Sequence, residues 1–352
     1  MPPAVSRPNI LRIDSAIDIT PDRKSTREDG WTAIVRTHDS LFKVGAPRWA
    51  RLDCDKSTMT INWFPGHMNR ARREIASAIT KSDVVVELVD ARLPRSSRNP
   101  LLGQLAEGKP VLTLFTKSDL ADESVTQEWL DAWEGPRPLD LVMTDQRSVK
   151  RIPARCRELA PNRGGPGRTL KILVVGIPNV GKSTLINSLT GRKIAKVGDR
   201  PAVTRRAQRV ELDHDLSIFD SPGVLWPKLD DQEGARRLAA SGAIGENAFE
   251  MLDVAGWAVC FVADRYPELL AARFDLGDEV DEIIARTSPD REDATRSVEL
   301  LEAVGRRRGA LRSGGHVDLD RAADVFLRDL RAAKVGAISY ERPSDVSSSS
   351  IS

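Results

Sequence analysis

Between residues 83 and 220, unbroken apolar runs alternate with stretches whose apolar residues return every three or four positions. "DVVVELVDAR" (83–92), "VLTLFTKSD" (111–119) and "TLKILVVG" (169–176) are apolar at consecutive positions, the pattern of parallel strands buried on both faces. "PLDLVMT" (138–144) reads as a further strand, and "RRAQRVELDHDLSIFDSPG" (205–223) as two more. "ESVTQEWLDAW" (123–133), "SVKRIPARCREL" (148–159) and "STLINSLTG" (183–191) read as helices, the last stopped by Gly191. Strand–helix alternation of this kind predicts a doubly wound, mostly parallel α/β sheet, with "PNRGGPGR" (161–168) as a linker inside it. From residue 229 the pattern turns wholly helical and predicts a small all-α domain. In its last helix Leu319, Ala322, Phe326, Leu330 and Ala333 form one apolar face. The expected division is an N-terminal extension (1–58), an α/β domain (59–228), a helical domain (229–343) and a disordered tail (344–352).

The loop "GIPNVGKST" (176–184) lies between a strand and a helix and matches G-x-x-x-x-G-K-[ST] through Gly176, Gly181, Lys182 and Ser183. In such a loop backbone N–H groups face a β-phosphate, and the helix start favours anionic charge. Lys182 is then expected to reach the β- and γ-phosphates and Ser183 to hold Mg²⁺, with Asn179, Val180, Gly181 and Thr184 completing the nucleotide contacts. Asp220, at the end of a strand, is the expected acid behind the Mg²⁺, and Gly223 offers an N–H to the γ-phosphate. Thr204, between loop and acid, is the expected switch threonine that closes over Mg²⁺.

The Thr-Lys-Ser-Asp sequence at 116–119 looks like the base-reading motif of a GTPase, yet it precedes the phosphate loop. In an open α/β sheet ligands bind outside the carboxyl ends of the strands, so the position of each end in space matters and its order in the chain is secondary. A circularly permuted P-loop GTPase domain is therefore expected, with Thr116, Lys117 and Asp119 at the base. The Asp119 carboxylate can accept two hydrogen bonds from a guanine edge, which adenine cannot offer. A second base contact is expected near Met143, Thr144 and Asp145, with Thr144 as the nucleotide residue. The usual Gln after the switch glycine is replaced by Val224, so His67, beyond a Pro-Gly turn, is the candidate for orienting the attacking water. The alternative is that Trp63, Phe64 and His67 only pin a helix to the sheet.

Composition narrows the partners. Lys+Arg 53 against Asp+Glu 51 leaves a net charge of +2, so any basic face must be local. One is "GRRRGALRSGG" (305–315), where Arg306, Arg307, Arg308 and Arg312 stand among glycines and could approach an RNA backbone or simply be solvated. A second is the strip Arg70, Arg72 and Arg73. Cys54, Cys156 and Cys260 form neither a disulfide framework nor a zinc pattern, and a reducing cytosol fits them best. "DVAGWAVCFVAD" (253–264) suits a buried helix and is far short of the roughly 20 residues of a membrane span. The first 58 residues carry too many acids for a transit peptide and read as a partly disordered extension, with a short strand or hairpin in "WTAIVRTHDSLFKVG" (31–45).

Together "INWFPGHMNRARREI", "VELVDARLPRSSRNP", "GIPNVGKSTLIN", "DSPGVLWPK" and "GAISYERP" resemble the circularly permuted GTPases of the ribosome biogenesis GTPase A family, over residues 59–343. The resemblance implies a cytoplasmic GTPase, with an organellar branch, acting late in assembly of the large ribosomal subunit and leaving after hydrolysis. It implies no membrane, a monomer, Mg²⁺, and a potassium ion beside the phosphates held by Asn179. It also implies a catalytic role for His67 and an RNA contact for the four arginines. The chain departs from the family at Thr116, where an Asn commonly braces the nucleotide loop and touches the purine. The rival readings are a nucleotide-gated RNA-binding module with little turnover, an organellar homologue, which the acidic N-terminus disfavours, and a tRNA-modifying GTPase. For the last the chain has no separate catalytic domain or C-terminal reactive cysteine.

Overall fold

The computed structural model describes residues 65–99, 102–163, 168–192, 208–213, 215–220, 232–287 and 294–345, and the strand segments 11–12, 18–21, 32–37 and 40–45. The chain divides into two units, Met1–Thr58 and Met59–Ser352. In the first, β1 (Leu11–Arg12), β2 (Asp18–Pro21), β3 (Thr32–Thr37) and β4 (Ser40–Gly45) pair antiparallel in that order. Thr37 pairs with Ser40, so β3 and β4 are the hairpin expected in this segment.

The second unit opens with α1 (Pro65–Lys81). Pro65 and Gly66 belong to its first turn and do not form the free turn the sequence suggested, because proline fits the first helical position, where its missing N–H is not needed. There follow β5 (Val84–Asp90), the short α2 (Pro94–Ser97) and α3 (Leu102–Leu105), β6 (Val111–Thr116), α4 (Glu123–Ala132), β7 (Leu139–Leu141) and α5 (Gln146–Leu159). The second half contains β8 (Leu170–Gly176), α6 (Lys182–Thr190), β9 (Gln208–Asp213) and β10 (Leu216–Asp220). Six strands form one sheet in the order β7-β6-β5-β8-β10-β9, parallel throughout except β9. From the central β5 the chain winds out through β6 to β7, returns past β5 to β8, then crosses to the far edge at β9 and turns back to β10 between them. The reversal lies between β5 and β8, the kind of crevice in which such sheets bind ligands.

Alternation within the strands buries both faces. Val84, Val86 and Leu88 of β5 and Ile172 and Val174 of β8 join Ile152 and Cys156 of α5 and Leu185 and Ile186 of α6. Val85, Leu173 and Val175 face Ile75 and Ile79 of α1. The first of these clusters continues without a break into the helical part, α7 (Gln232–Ala240), α8 (Met251–Arg265), α9 (Pro267–Phe274), α10 (Glu279–Arg286), α11 (Ala294–Arg307) and α12 (Leu319–Arg331). The α8 segment is buried at every position from Val254 to Ala263, as its all-round apolar sequence requires. Sheet and helices thus share one core.

Boundaries differ from the sequence reading in places. The wholly helical pattern read from residue 229 is interrupted by a 3₁₀ turn (Glu246–Ala248) before α8. Ala333 lies past α12 with φ 51°, so it leaves the apolar face shared by Ala322, Phe326 and Leu330. A 3₁₀ turn at Pro343–Asp345 crosses the expected boundary of the tail at 344, and Asp345 pairs with Arg265 at 3.2 Å. Among the described residues no helix is long and apolar enough to cross a membrane.

One buried acid interrupts β5. Glu87 is 2% exposed, and its Oε1 accepts the Asn99 N–H at 3.1 Å. Burial pushes its carboxyl up to about 7 from an ordinary 4.5, against the opposing pull of Arg98 and the Asn99 N–H. The folded protein therefore keeps a proton that the unfolded chain releases. The contribution of this group to stability falls as pH rises from about 4.5 to 7, by at most about 3 kcal/mol. Glu87→Gln keeps the acceptor and removes the ionisation, so thermal unfolding should show a raised midpoint at pH 8 and little change at pH 5. An equal shift at both pH values would contradict this.

Candidate nucleotide-binding site

Parallel pairing places the candidate loops side by side at one edge of the sheet. Leu88 is in register with Gly176, Asp90 with Thr116, Thr116 with Leu141, and Asp220 with Val174. The ends of β5, β6, β7, β8 and β10 therefore meet around the crevice, whatever their order in the chain.

The phosphate loop is shaped by close packing. A Cβ on Gly176 would stand 2.8 Å from the Leu88 carbonyl oxygen and 2.9 Å from a Val180 methyl, so only glycine lets β8 leave the sheet here. Gly181 starts α6, and Lys182, 7% exposed, holds its Nζ 2.9 Å from the Gly176 carbonyl and 2.6 Å from that of Ile177. The ammonium thus sits over the loop it is expected to serve. Ser183 and Thr184, half-buried, lie in the first turn of α6, and the Val180 side chain is fully buried. Asn179 adopts φ 56°, a left-handed conformation that Asn tolerates, and its Nδ2 donates to the Gly242 carbonyl at 2.9 Å.

The base-reading loop leaves β6. Thr116, fully buried, has its Oγ1 2.8 Å from the Val180 carbonyl and 3.1 Å from that of Val89, so it bonds the phosphate loop to the strand beside it. Lys117 is left-handed (φ 58°), a strained state for this residue. Its Nζ lies 2.9 Å from Asp90 Oδ2. Asp90 is 1% exposed and also takes Arg92 bidentately, Nε to Oδ1 at 3.0 Å and Nη2 to Oδ2 at 2.8 Å. Burial raises the Asp90 pKa, but Arg92 and Lys117 outweigh it and hold the carboxyl far below the usual range. Asp119 is exposed, in the 3₁₀ turn Ser118–Leu120. Thr144 is exposed in the turn after β7, and Asp145 caps α5 by accepting the Arg147 N–H at 3.0 Å.

Other expected residues are placed less fully. His67 lies in the first turn of α1, but only the backbone is described there; Asp220 ends β10, likewise without its side chain; Thr204, Gly223 and Val224 lie outside the described residues. The arginines expected to meet RNA carry intramolecular partners. Arg306 pairs with Glu279 (2.8 Å), Arg307 with Asp275 (3.8 Å) and Arg312 with Asp318 (3.0 Å), while Arg308 donates to the Arg273 carbonyl (2.8 Å) over the Phe274 ring. Sequence reasoning missed Asp90, Arg92 and the turn Ser241–Gly242. The visible signal was a charged Asp-x-Arg closing the apolar run of β5.

Among the described residues no three His, Cys, Asp or Glu side chains are grouped to hold a metal.

The chain is similar to known GTPases. A family described as 50S ribosome-binding GTPase matches residues 171–295, beginning on the strand that leads into the phosphate loop. Ribosome biogenesis GTPase A of Priestia megaterium is 40% identical over 297 residues, 82% of this chain and 98% of that protein. The chain belongs to the ribosome biogenesis GTPase A family. Ribosome biogenesis GTPase A of Thermotoga maritima is 27% identical over 81% of the chain, and a mouse mitochondrial ribosome-associated GTPase 1 is 31% identical over 80% of the chain and 90% of its own length. The GNP-bound crystal structure of YlqF from Thermotoga maritima superposes with a TM-score of 0.54 at 26% identity, covering 79% of this chain and all of that one. A circularly permuted GTPase domain is thus the fold of this family member, and GTP hydrolysis its activity.

Thr116→Val removes the hydroxyl and keeps the shape. Losing one buried donor should cost about 1–2 kcal/mol, roughly five- to thirtyfold in GDP affinity by calorimetry, whereas Thr116→Ser should bind like the parent. Parental affinity in the valine variant would show that the loop needs no such bond.

Proposed function

We propose that this GTPase acts late in maturation of the large ribosomal subunit, binding subunit and rRNA in its GTP state and leaving after hydrolysis. The observation that carries the reading is the course of the chain beyond β10. The segment holding Gly223 leads into α7, and the turn ending α7 is bonded to the phosphate loop through Asn179 and to α12 through Arg331, which donates to the Ala239 and Ala240 carbonyls at 3.1 and 3.3 Å. Nucleotide state and the helical part are mechanically joined there.

In this reading Lys182 faces the β- and γ-phosphates, with Val180, Gly181 and Thr184 around them, and Gly223 contacts the γ-phosphate. Ser183, Thr204 and Asp220 hold Mg²⁺, which when bound neutralises charge on the transferred phosphoryl group. Thr116, Lys117 and Asp119 read guanine, with Thr144 at its second side. Asn179, whose Nδ2 donates to the Gly242 carbonyl, holds K⁺ beside the phosphates. His67 orients the attacking water. Arg306, Arg307 and Arg312 meet RNA phosphates with Arg308. Their present ion pairs are about half exposed, and surface pairs of that kind are worth about 0–1 kcal/mol, little enough for phosphates to replace. Two relatives, one bacterial and one named as mitochondrial, are named for ribosome biogenesis and ribosome association, and this supports the choice of partner.

Co-sedimentation with purified large subunits tests the reading. The protein should pellet with subunits in a non-hydrolysable GTP analogue and stay in solution with GDP. His67→Ala should keep GTP affinity within a few fold, lose at least tenfold in subunit-stimulated hydrolysis, and remain on the subunit when GTP is supplied. Equal pelleting of the parent in both nucleotides would contradict the cycle, and retained turnover with lowered thermal stability would make His67 a packing residue.

A further inference from the structure

Five side chains and three carbonyls close a ring around the nucleotide site. Thr116 bonds Val180; the neighbouring Asn179 bonds the Gly242 carbonyl; the adjacent Ser241 carbonyl accepts Arg92 Nη2 at 3.2 Å; Arg92 chelates Asp90; and Asp90 holds Lys117, next to Thr116. The base loop and the phosphate loop are thereby tied to the same two-residue turn after α7. Tyr340 adds a clasp from the C-terminal end, its N–H donating to the Arg92 carbonyl at 2.7 Å.

The chemistry of this ring asks for a purpose beyond stability. Asp90 and Arg92 are 1% and 3% exposed, and a buried ion pair gains little over apolar residues of the same size. What it supplies is geometry, since a planar guanidinium can meet a carboxylate on two bonds and a carbonyl on a third only in one orientation. Asp90 uses both oxygens on Arg92 and passes Oδ2 to Lys117, whose left-handed backbone needs such a hold. Two residues beyond Lys117 stands Asp119.

We propose that Asp90 and Arg92 are positioning residues of the nucleotide site, which fix the orientation of the base-reading loop and make it depend on the turn Ser241–Gly242. The proposal rests on the reading of Asp119 as the guanine contact. Displacing the turn loosens Arg92, hence Asp90, hence Lys117 and the loop that follows. Because this turn holds Asn179, and the two α7 residues just before it, Ala239 and Ala240, accept Arg331 of α12, a partner that moves the helical part would change guanine affinity at the same time.

The test compares GDP with IDP, whose base lacks the exocyclic amino group that a well-placed Asp119 bonds. Dissociation constants for both are measured on the full chain and on Arg92→Lys, Asp90→Asn and Gly242→Ala, with thermal unfolding recorded without nucleotide. Gly242 has φ +81°, and an added Cβ would stand 3.3 Å from Arg331 Cδ, so the alanine shifts the turn while leaving every side chain of the two loops intact. All three variants should lose at least tenfold in GDP affinity and at least threefold in preference for GDP over IDP. A merely structural role lowers the melting temperature, and affinity with it, but leaves the preference unchanged; that result in the folded variants would overturn the proposal. Should Asp90→Asn fail to fold, Arg92→Lys and Gly242→Ala decide the matter. A parent protein that binds GDP and IDP equally would instead overturn the assignment of Asp119.

Discussion

Parallel strands must present their carboxyl ends on a single edge, and the nucleotide site of this protein follows from that constraint. Each loop with chemistry in it, after β5, β6, β7, β8 and β10, leaves the sheet on the same side because the strands share a direction and are held in register by their own backbone bonds. The winding reverses between β5 and β8, so the phosphate loop and the Asp90 network emerge side by side. Chain order can then be permuted without cost to the site, since no bond between loops depends on which one is synthesised first.

What the permutation changes is the neighbourhood of the switch. In this order the chain beyond β10 runs into α7 and the helices, and these share a continuous core with the sheet. Glu341, fully buried, receives the Arg95 and Ser96 N–H groups at 2.5 and 3.0 Å and pairs with Arg237 of α7 at 3.0 Å. Burial raises its pKa against the pull of Arg237 and those N–H groups. The stretch beyond α12 thus returns to α2, just after β5, and the helical part is fastened to the nucleotide side from both of its ends.

The extent to which the sequence foretold this depended on distance along the chain. The strands, the phosphate loop and the Thr-Lys-Ser-Asp loop are written in consecutive residues, where an apolar run or a spacing of glycines has one physical meaning. Lys117 was legible as a base-loop residue, but its partner Asp90 lies 27 positions away, and the Arg92–Ser241 bond spans 149. No local pattern reports such pairs. The cluster Arg306–Arg312 looked like free charge for the same reason, its acids coming from other helices and from beyond the loop. Short helices such as α2 and α3 escaped because four residues carry no period. Thr116 was read as a departure, and its hydroxyl in fact reaches the phosphate loop across 64 positions.

The central claim is that loops from two halves of a permuted chain make one guanine site, with Asp119 facing the base and Lys182 the phosphates. It is tested most directly by competition, in which fluorescent GDP bound to the full chain with Mg²⁺ is displaced by unlabelled GDP or ADP. The account predicts displacement by GDP and a preference over ADP of roughly 10⁴-fold, the discrimination expected of a site whose polar groups would otherwise stay unpaired. Displacement by ADP at concentrations similar to GDP would contradict it.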